Sequence, residues 1–291
     1  MTGSVRALLA LAGIVIAAVL AAILAGAWGA ATLQASPSPS LAAVQSDAAV
    51  VPSGTPAASP STSTAIPTPV ASIPSWKTVV DDKFDGDLPS HWTLYQGPYK
   101  SGAQNCATPS HTTIHDGALD MLFAYEAKGI CGPGWYSSGL AITGFSSIDS
   151  RVTVRFRVVE TGGVAAHRII PMRWPDDATK WPAAGEEDYC EGILLSGCST
   201  VIHFDSTNQQ ESHQSDLDLT AWHTIAVERR QHVVTVQIDD GLVWTYAGSE
   251  TTLPGTLKHV VLQQECQKTC PSGTTGTEDI LIDFVKVEVP V

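Results

Sequence analysis

Between residues 76 and 291 the apolar positions recur at every second residue. In Arg151–Val158 the order Arg-Val-Thr-Val-Arg-Phe-Arg-Val sets Val152, Val154, Phe156 and Val158 on one side, the pattern of a half-buried antiparallel strand. Val234, Val236 and Ile238 repeat it, Asp240-Gly241 offers a hairpin turn into Leu242–Tyr246, and a final strand is predicted over Ile280–Val289. Further strands are predicted around Ile114–Ala124, Gly139–Phe145, Val201–Phe204, Thr224–Glu228 and Lys258–Gln264. No stretch keeps a helical period. Many short strands separated by turn signals predict an all-β domain, a β-sandwich or jelly roll of two packed antiparallel sheets.

The pattern changes upstream. Ala7–Leu33 is an uncharged, mostly apolar run behind Arg6, read as an export signal or an N-terminal membrane anchor over residues 1–34. Its length suits an anchor, whereas Ala25-Gly26-Ala27 suits cleavage, and both outcomes place the remainder outside the cytoplasm: secreted, or held at the membrane by that segment. Residues 35–75 are dominated by Pro, Ser, Thr and Ala with Asp47 as the only charge, which cannot build a core and predicts a disordered spacer. The folded domain is therefore expected over 76–291.

Charge narrows the partners. Of 291 residues only 15% are charged, and the net charge of −13 offers no basic footprint for nucleic acid or an anionic membrane surface. A neutral partner, bound by a monomer, fits better. All six cysteines fall in the predicted domain, and an even count in an exported chain reads as disulfides. Fifteen connectivities exist, of which the sequence-local set, Cys106–Cys131, Cys190–Cys198 and Cys266–Cys270, is expected. No C-x-x-C or H-x-x-x-H spacing supports a zinc site, and the motifs of serine hydrolases, nucleotide-binding loops and metalloproteases are absent.

Carboxylates carry the remaining chemistry. In Trp181-Pro-Ala-Ala-Gly-Glu-Glu-Asp-Tyr-Cys-Glu191, a strand would put Glu186 and Asp188 on one face and Glu191 on the other. A β-bulge at Tyr189-Cys190 returns Glu191 to the shared face. The Cα atoms of Glu186 and Glu191 would then lie roughly 13 Å apart at about 3.3 Å per residue. Side chains leaning inward would bring the carboxyls to roughly 5 Å, the spacing of a retaining glycosidase. The bare triplet also suits a solvated acidic edge, so context decides.

That context is a resemblance. Trp181-Pro-x-x-Gly185-Glu186-x-Asp188-x-x-Glu191 resembles the active-site signature of glycoside hydrolase family 16, in the bulged form of its laminarinase-like members. Phe84-Asp85-Gly86 with Trp92, His115–Leu119, Trp222–Glu228, Ile238–Gly241 and Ile282–Val285 resemble other family segments in the same order. The resemblance implies a concanavalin-like sandwich with an open cleft on its concave face. It implies Glu186 as nucleophile, Glu191 as general acid and then base, and Asp188 between them, hydrogen-bonded to Glu186. Crowding should force one carboxylate to keep its proton near neutral pH. The family has no catalytic cofactor but often a structural calcium, for which Asp283 is the matching residue. Two departures stand out: Glu187 replaces an apolar residue beneath the sheet and needs an Arg or Lys partner or a proton, and Arg229 stands where many family members have a tryptophan, which makes it the candidate partner.

Sugar rings stack on aromatic faces, so Trp174, Trp181 and Trp135, the last in a glycine-flanked turn with Tyr136, are candidate substrate-binding residues, while Trp92, Trp222 and Trp244 read as core. His203, on an alternating strand after Glu191, and Gln210 or its neighbour Gln209 are further candidates. Three functions follow: an exported retaining endo-β-glycanase acting on a β-1,3- or mixed-linkage glucan, a cell-surface transglycosylase using the same residues, or a non-catalytic glycan-binding module.

Overall fold

The computed structural model describes residues 75–99, 103–266 and 269–291. The N-terminal apolar run and all of the spacer before Ser75 lie outside them. Among the described residues no helix is long and apolar enough to cross a membrane.

The described chain is built from strands. In order these are β1 (Trp76–Asp82), β2 (Trp92–Leu94), β3 (Gly97–Pro98), β4 (Cys106–Ala107), β5 (Thr112–His115) and β6 (Ala118–Gly129). There follow β7 (Gly132–Ser137), β8 (Gly139–Ile142), β9 (Ser150–Thr161), β10 (His167–Pro175), β11 (Glu186–Gly192) and β12 (Cys198–Phe204). The last six are β13 (Gln209–Ser215), β14 (His223–Arg230), β15 (Val233–Ile238), β16 (Gly241–Ala247), β17 (Lys258–Glu265) and β18 (Thr277–Pro290). One sheet has seven strands in the order β13-β12-β11-β10-β17-β8-β2. The other runs β16-β15-β14-β9-β18-β6-β7-β4-β3, with β1 also on β18 and β5 also on β6. Pairing is antiparallel except between β4 and β7.

Alternation puts the core between the sheets. Val152, Val154, Phe156 and Val158 of β9 pack in one cluster with Ile170, Tyr189, Ile202, Phe204, Val260 and Leu262 of the smaller sheet. Full burial of such side chains stabilises by about 1.5–3 kcal/mol each, which fixes the face every strand presents. Two sheets sharing one core make the predicted sandwich.

Three local expectations change. Ile114–Ala124 is a hairpin rather than one strand, because Asp116 and Gly117 both take positive φ (53° and 73°), the geometry of a two-residue turn matching strand twist. The later hairpin turns at Asp239 and Asp240, both at positive φ, one residue before the expected Asp240-Gly241. Trp135 lies in strand β7 rather than an exposed turn; it is buried, stacks on Phe123 at 4.9 Å and donates its indole N–H to the Pro271 carbonyl, so it is a core residue and not a sugar platform. Trp92 is core as expected, and Trp244 packs at the core edge. Trp222 instead lies beneath the guanidinium groups of Arg155 and Arg157, at 4.7 and 5.1 Å from its ring centroid. All three expected disulfides are present.

Candidate active site

A turn leads into the acidic strand. The Ala184 N–H donates to the Lys180 carbonyl at 2.9 Å and the Gly185 N–H to Pro182 at 2.8 Å. Gly185 sits at φ +75°, and a Cβ there would meet Pro254 Cγ at 2.9 Å, so this position requires glycine. Glu186 then opens β11.

Register shows the bulge directly. Asp188 pairs with Val201 and Glu191 with Ser199, so β11 advances three residues while β12 advances two. The neighbour β10 keeps step with β11, Met172 opposite Asp188 and Ile169 opposite Glu191, yet carries its own extra residue against β17. The irregularity therefore crosses two strands, at Tyr189-Cys190 and at Ile170-Pro171. The disulfide from Cys190 in the bulge to Cys198 on β12 ties it to the next strand. With Glu187 and Tyr189 directed into the core, Glu186, Asp188 and Glu191 share the face turned away from it.

Beneath the sheet Glu187 is fully buried among three cations. Its carboxylate lies 2.8 Å from Arg229 Nη1, 3.1 Å from Arg173 Nη1 and 3.3 Å from Lys258 Nζ, and the Tyr189 hydroxyl donates to it at 2.8 Å. Arg229 is thus one partner, as the sequence suggested, and two more come from β10 and β17. Burial alone would raise the Glu187 pKa, but the charges of Arg173, Arg229 and Lys258 overcome it and hold it at about 2. The hydrogen-bonded ion cluster fastens the underside of the acidic strand to β14 of the opposite sheet.

On the outer face the carboxylates are enclosed by polar partners. The Trp181 indole N–H donates to Glu186 Oε2 at 2.6 Å, Trp181 stacks on Trp174 at 6.1 Å, and the residue remains 40% exposed. His203 Nε2 lies 3.1 Å from Asp188 Oδ2, while Nδ1 lies 2.8 Å from Asn208 Oδ1 and 3.2 Å from Gln210 Nε2. Gln209, also exposed, neighbours Gln210 at the edge of β13. Asp188 is hydrogen-bonded to His203 rather than to Glu186, and its buried Oδ1 has no hydrogen-bond partner among the described residues.

Burial first, then the Asp188 charge, raises the Glu186 pKa, against the pull of His203 and Trp181. Asp188 also rises through burial, although His203 opposes it. Burial would lower His203, but its bond to Asp188 and the charges of Asp188 and Glu186 push it up. These groups titrate together. The retained proton expected from crowding therefore belongs to the Glu186–Asp188 pair. Glu191 makes a different contact, with His167 Nε2 at 2.9 Å.

The two sides of this face differ. Beyond β10 the floor is apolar, built from Ile169, Met172, Val261 and Ala141 with Tyr95 and Trp174 packed over it. Beyond β11 it is polar, with His203 opposite Gln210, and Ser199 opposite Gln214. Sequence reasoning missed His167, Tyr95 and the apolar floor, because cross-strand neighbours far apart in the chain leave no local motif.

Neither metal arrangement is supported by its donors. Asp283, the expected calcium residue, is bonded to Arg155 Nη1 at 2.6 Å, and a guanidinium at that distance opposes a dication, so the calcium expectation does not fit this residue. Glu186, Asp188 and His203 bring one ligand atom each within 4.8 Å, but those atoms already bond one another and Trp181.

No protein-family model matches the sequence, and no curated protein matches it. Solved structures do match. The catalytic domain of an endo-1,3-β-glucanase (laminarinase) from Thermotoga petrophila RKU-1 superposes with a TM-score of 0.63 at 16% identity, over 75% of this chain and 99% of that one. SCLam, a non-specific endo-β-1,3(4)-glucanase from family GH16, gives 0.62 at 16% identity over 74% and 92%. A LamA variant from Zobellia galactanivorans, in complex with laminaritriose and laminaritetraose, gives 0.61 at 16% identity over 73% and 98%. The fold is that of the family 16 laminarinases. At such identity the likeness concerns the fold, and the chemistry must be argued from the residues.

Proposed function

We propose that this chain is an exported retaining endo-β-glycanase of the laminarinase type, cleaving a β-1,3- or mixed-linkage glucan. The observation that carries the reading is the bulge, which turns Glu191 onto the face already holding Glu186 and Asp188. Glu186 attacks the anomeric carbon while Glu191 protonates the departing oxygen; water then hydrolyses the glycosyl-enzyme with Glu191 as base. A nucleophile must be ionised. The reactive microstate is therefore the one in which Asp188 holds the proton of the pair, and the Trp181 N–H stabilises the Glu186 carboxylate.

The two-sided face suits a sugar chain, with Tyr95, Trp174 and Trp181 offered to ring faces on one side and Gln210, Ser199 and Gln214 to hydroxyls on the other. The laminari-oligosaccharides bound by the Zobellia relative support a β-1,3-glucan. Three disulfides support an oxidising compartment.

The test is to incubate the protein with laminarin, lichenan, agar, carrageenan, xyloglucan and galactan, following reducing ends, chain lengths and the anomer first formed. New β-configured reducing ends from laminarin or lichenan that vanish in Glu186→Gln and Glu191→Gln are expected. Chain redistribution without new ends would replace hydrolysis by transglycosylation, and binding without either would replace the enzyme by a glycan-binding module.

A further inference from the structure

The apolar half of the face ends at a group the proposed mechanism has not used. His167 opens β10, two residues before Ile169 and on the same face, and is 6% exposed. Its Nε2 lies 2.9 Å from Glu191 Oε1. Across the other edge of β10 it stands opposite Glu265 of β17, whose Oε1 is 3.7 Å from Nδ1. The imidazole is thus interposed between two carboxylates, in hydrogen-bond contact with one and in longer electrostatic contact with the other.

We infer that His167 is a positioning residue that stores the proton Glu191 delivers to the leaving group. This rests on the glycosidase reading above. A general acid needs a proton when the substrate arrives, and Glu191, the most accessible of the three carboxylates, has a buried imidazole 2.9 Å away as its proton partner. The proton of the pair then resides on Nε2. Donation breaks the Nε2–H bond and forms an O–H bond on Glu191, which passes the proton to the glycosidic oxygen as that oxygen leaves the anomeric carbon. In the second half-reaction Glu191 takes a proton from the attacking water and Nε2 recovers it. One proton leaves and one returns. The Glu265 charge keeps a proton on Nδ1 throughout, so Nε2 is the exchanging nitrogen.

The facing groups support this direction. Glu191 and Asp188 face His167 from β11, and Glu265 from β17, where Gln263 Nε2 donates to Glu265 Oε2 at 2.9 Å and the half-buried Tyr99 hydroxyl lies near enough to feel the charge. Burial would lower the imidazole pKa, but the hydrogen bond to Glu191 and the charges of Glu191 and Glu265 overcome it and push it up to about 9.

Two measurements test the inference on the full chain. The first is a nitrogen-15 NMR titration of His167 in the wild type and in Glu191→Gln. A wild-type midpoint well above neutral, falling by at least one pH unit in the variant, is expected, and an ordinary imidazole midpoint in the wild type would overturn the proposal whatever the enzyme cleaves. The second compares the wild type with His167→Gln, whose amide can make the same hydrogen bond but holds no exchangeable charge. On laminarin, kcat is expected to fall at least tenfold with KM within twofold, and the alkaline limb of kcat/KM to move at least one unit lower. On 2,4-dinitrophenyl β-laminaribioside, whose leaving group needs no proton, the pre-steady-state burst of dinitrophenolate, which reports the first half-reaction alone, should keep its rate within twofold. Equal losses on both substrates with an unmoved pH profile would reduce His167 to a structural prop and overturn the proposal. A wild type inactive on every glycan would instead sink the glucanase reading, leaving the titration to decide whether His167 and Glu191 exchange a proton.

Discussion

Arg229 Nη1 donates to Glu187 Oε1 at 2.8 Å, and this bond joins the larger sheet to the acidic strand of the smaller one. Glu187→Gln leaves Arg173, Arg229 and Lys258 buried without their counter-ion, and breaking a buried ion set from one side costs about 3–5 kcal/mol. Urea denaturation at neutral pH should show a loss of that size. The sign with pH follows from the folded pKa of about 2, below the ordinary carboxylate value. The stabilisation is fully present above the ordinary value and is lost as pH falls towards 2, so this part of the acid-side slope should be missing in the variant.

Much of this arrangement was written locally. The alternation in Arg151–Val158 specifies β9 and its buried face, and the count of residues from Glu186 to Glu191 demands the bulge that the register shows. Even the need of Glu187 for a cation follows from its place between two outward-facing acids. What the chain does not announce is set by pairing between distant strands. Glu265 meets His167 because β17 lies beside β10, and no spacing in either segment says so. Trp135 misled for a related reason, since Gly132-Pro133-Gly134 has the composition of a turn but pairs with β6, which carries the ring into a small core with Phe123 and Cys266.

Trp181 combines two roles that substitution can separate. Trp181→Phe keeps an aromatic surface and deletes the N–H that bonds Glu186 Oε2. That bond lowers the Glu186 pKa, so its loss should move the acid limb of kcat/KM to higher pH. A hydrogen bond to a charged group contributes about 1.5–3 kcal/mol, so kcat on laminarin should fall roughly 10- to 100-fold with little change in KM. Trp181→Ala should raise KM as well. A Phe variant with an unchanged pH profile would contradict the assignment of this N–H.

The Cys190–Cys198 bridge spans the bulge that presents Glu191. Replacing both cysteines by alanine removes a short cross-link, with a stability loss of about 2–3 kcal/mol on chain-entropy grounds. Activity should fall further than stability explains, because the bulge can then relax and turn Glu191 away. The double replacement of Cys266 and Cys270, a bridge outside the bulge, is the control and should leave kcat near the wild-type value.

Asp188→Asn probes the shared proton. The Asp188 charge is, after burial, the next influence raising Glu186, so its removal should lower the Glu186 pKa and move the acid limb of kcat/KM to lower pH. His203 exchanges a charged acceptor for a neutral amide and loses the Asp188 charge that helps hold it high, so its imidazole should titrate at lower pH by NMR, burial then acting with less opposition. The two groups therefore move in the same direction for different reasons. Turnover should still drop by roughly 10²-fold, since a neutral amide can hold His203 in place but cannot exchange a proton with Glu186 as its charge is consumed and restored across the two half-reactions. A variant with wild-type turnover would show that Glu186 loses its proton elsewhere, and would shift attention to His203 as the group that takes it.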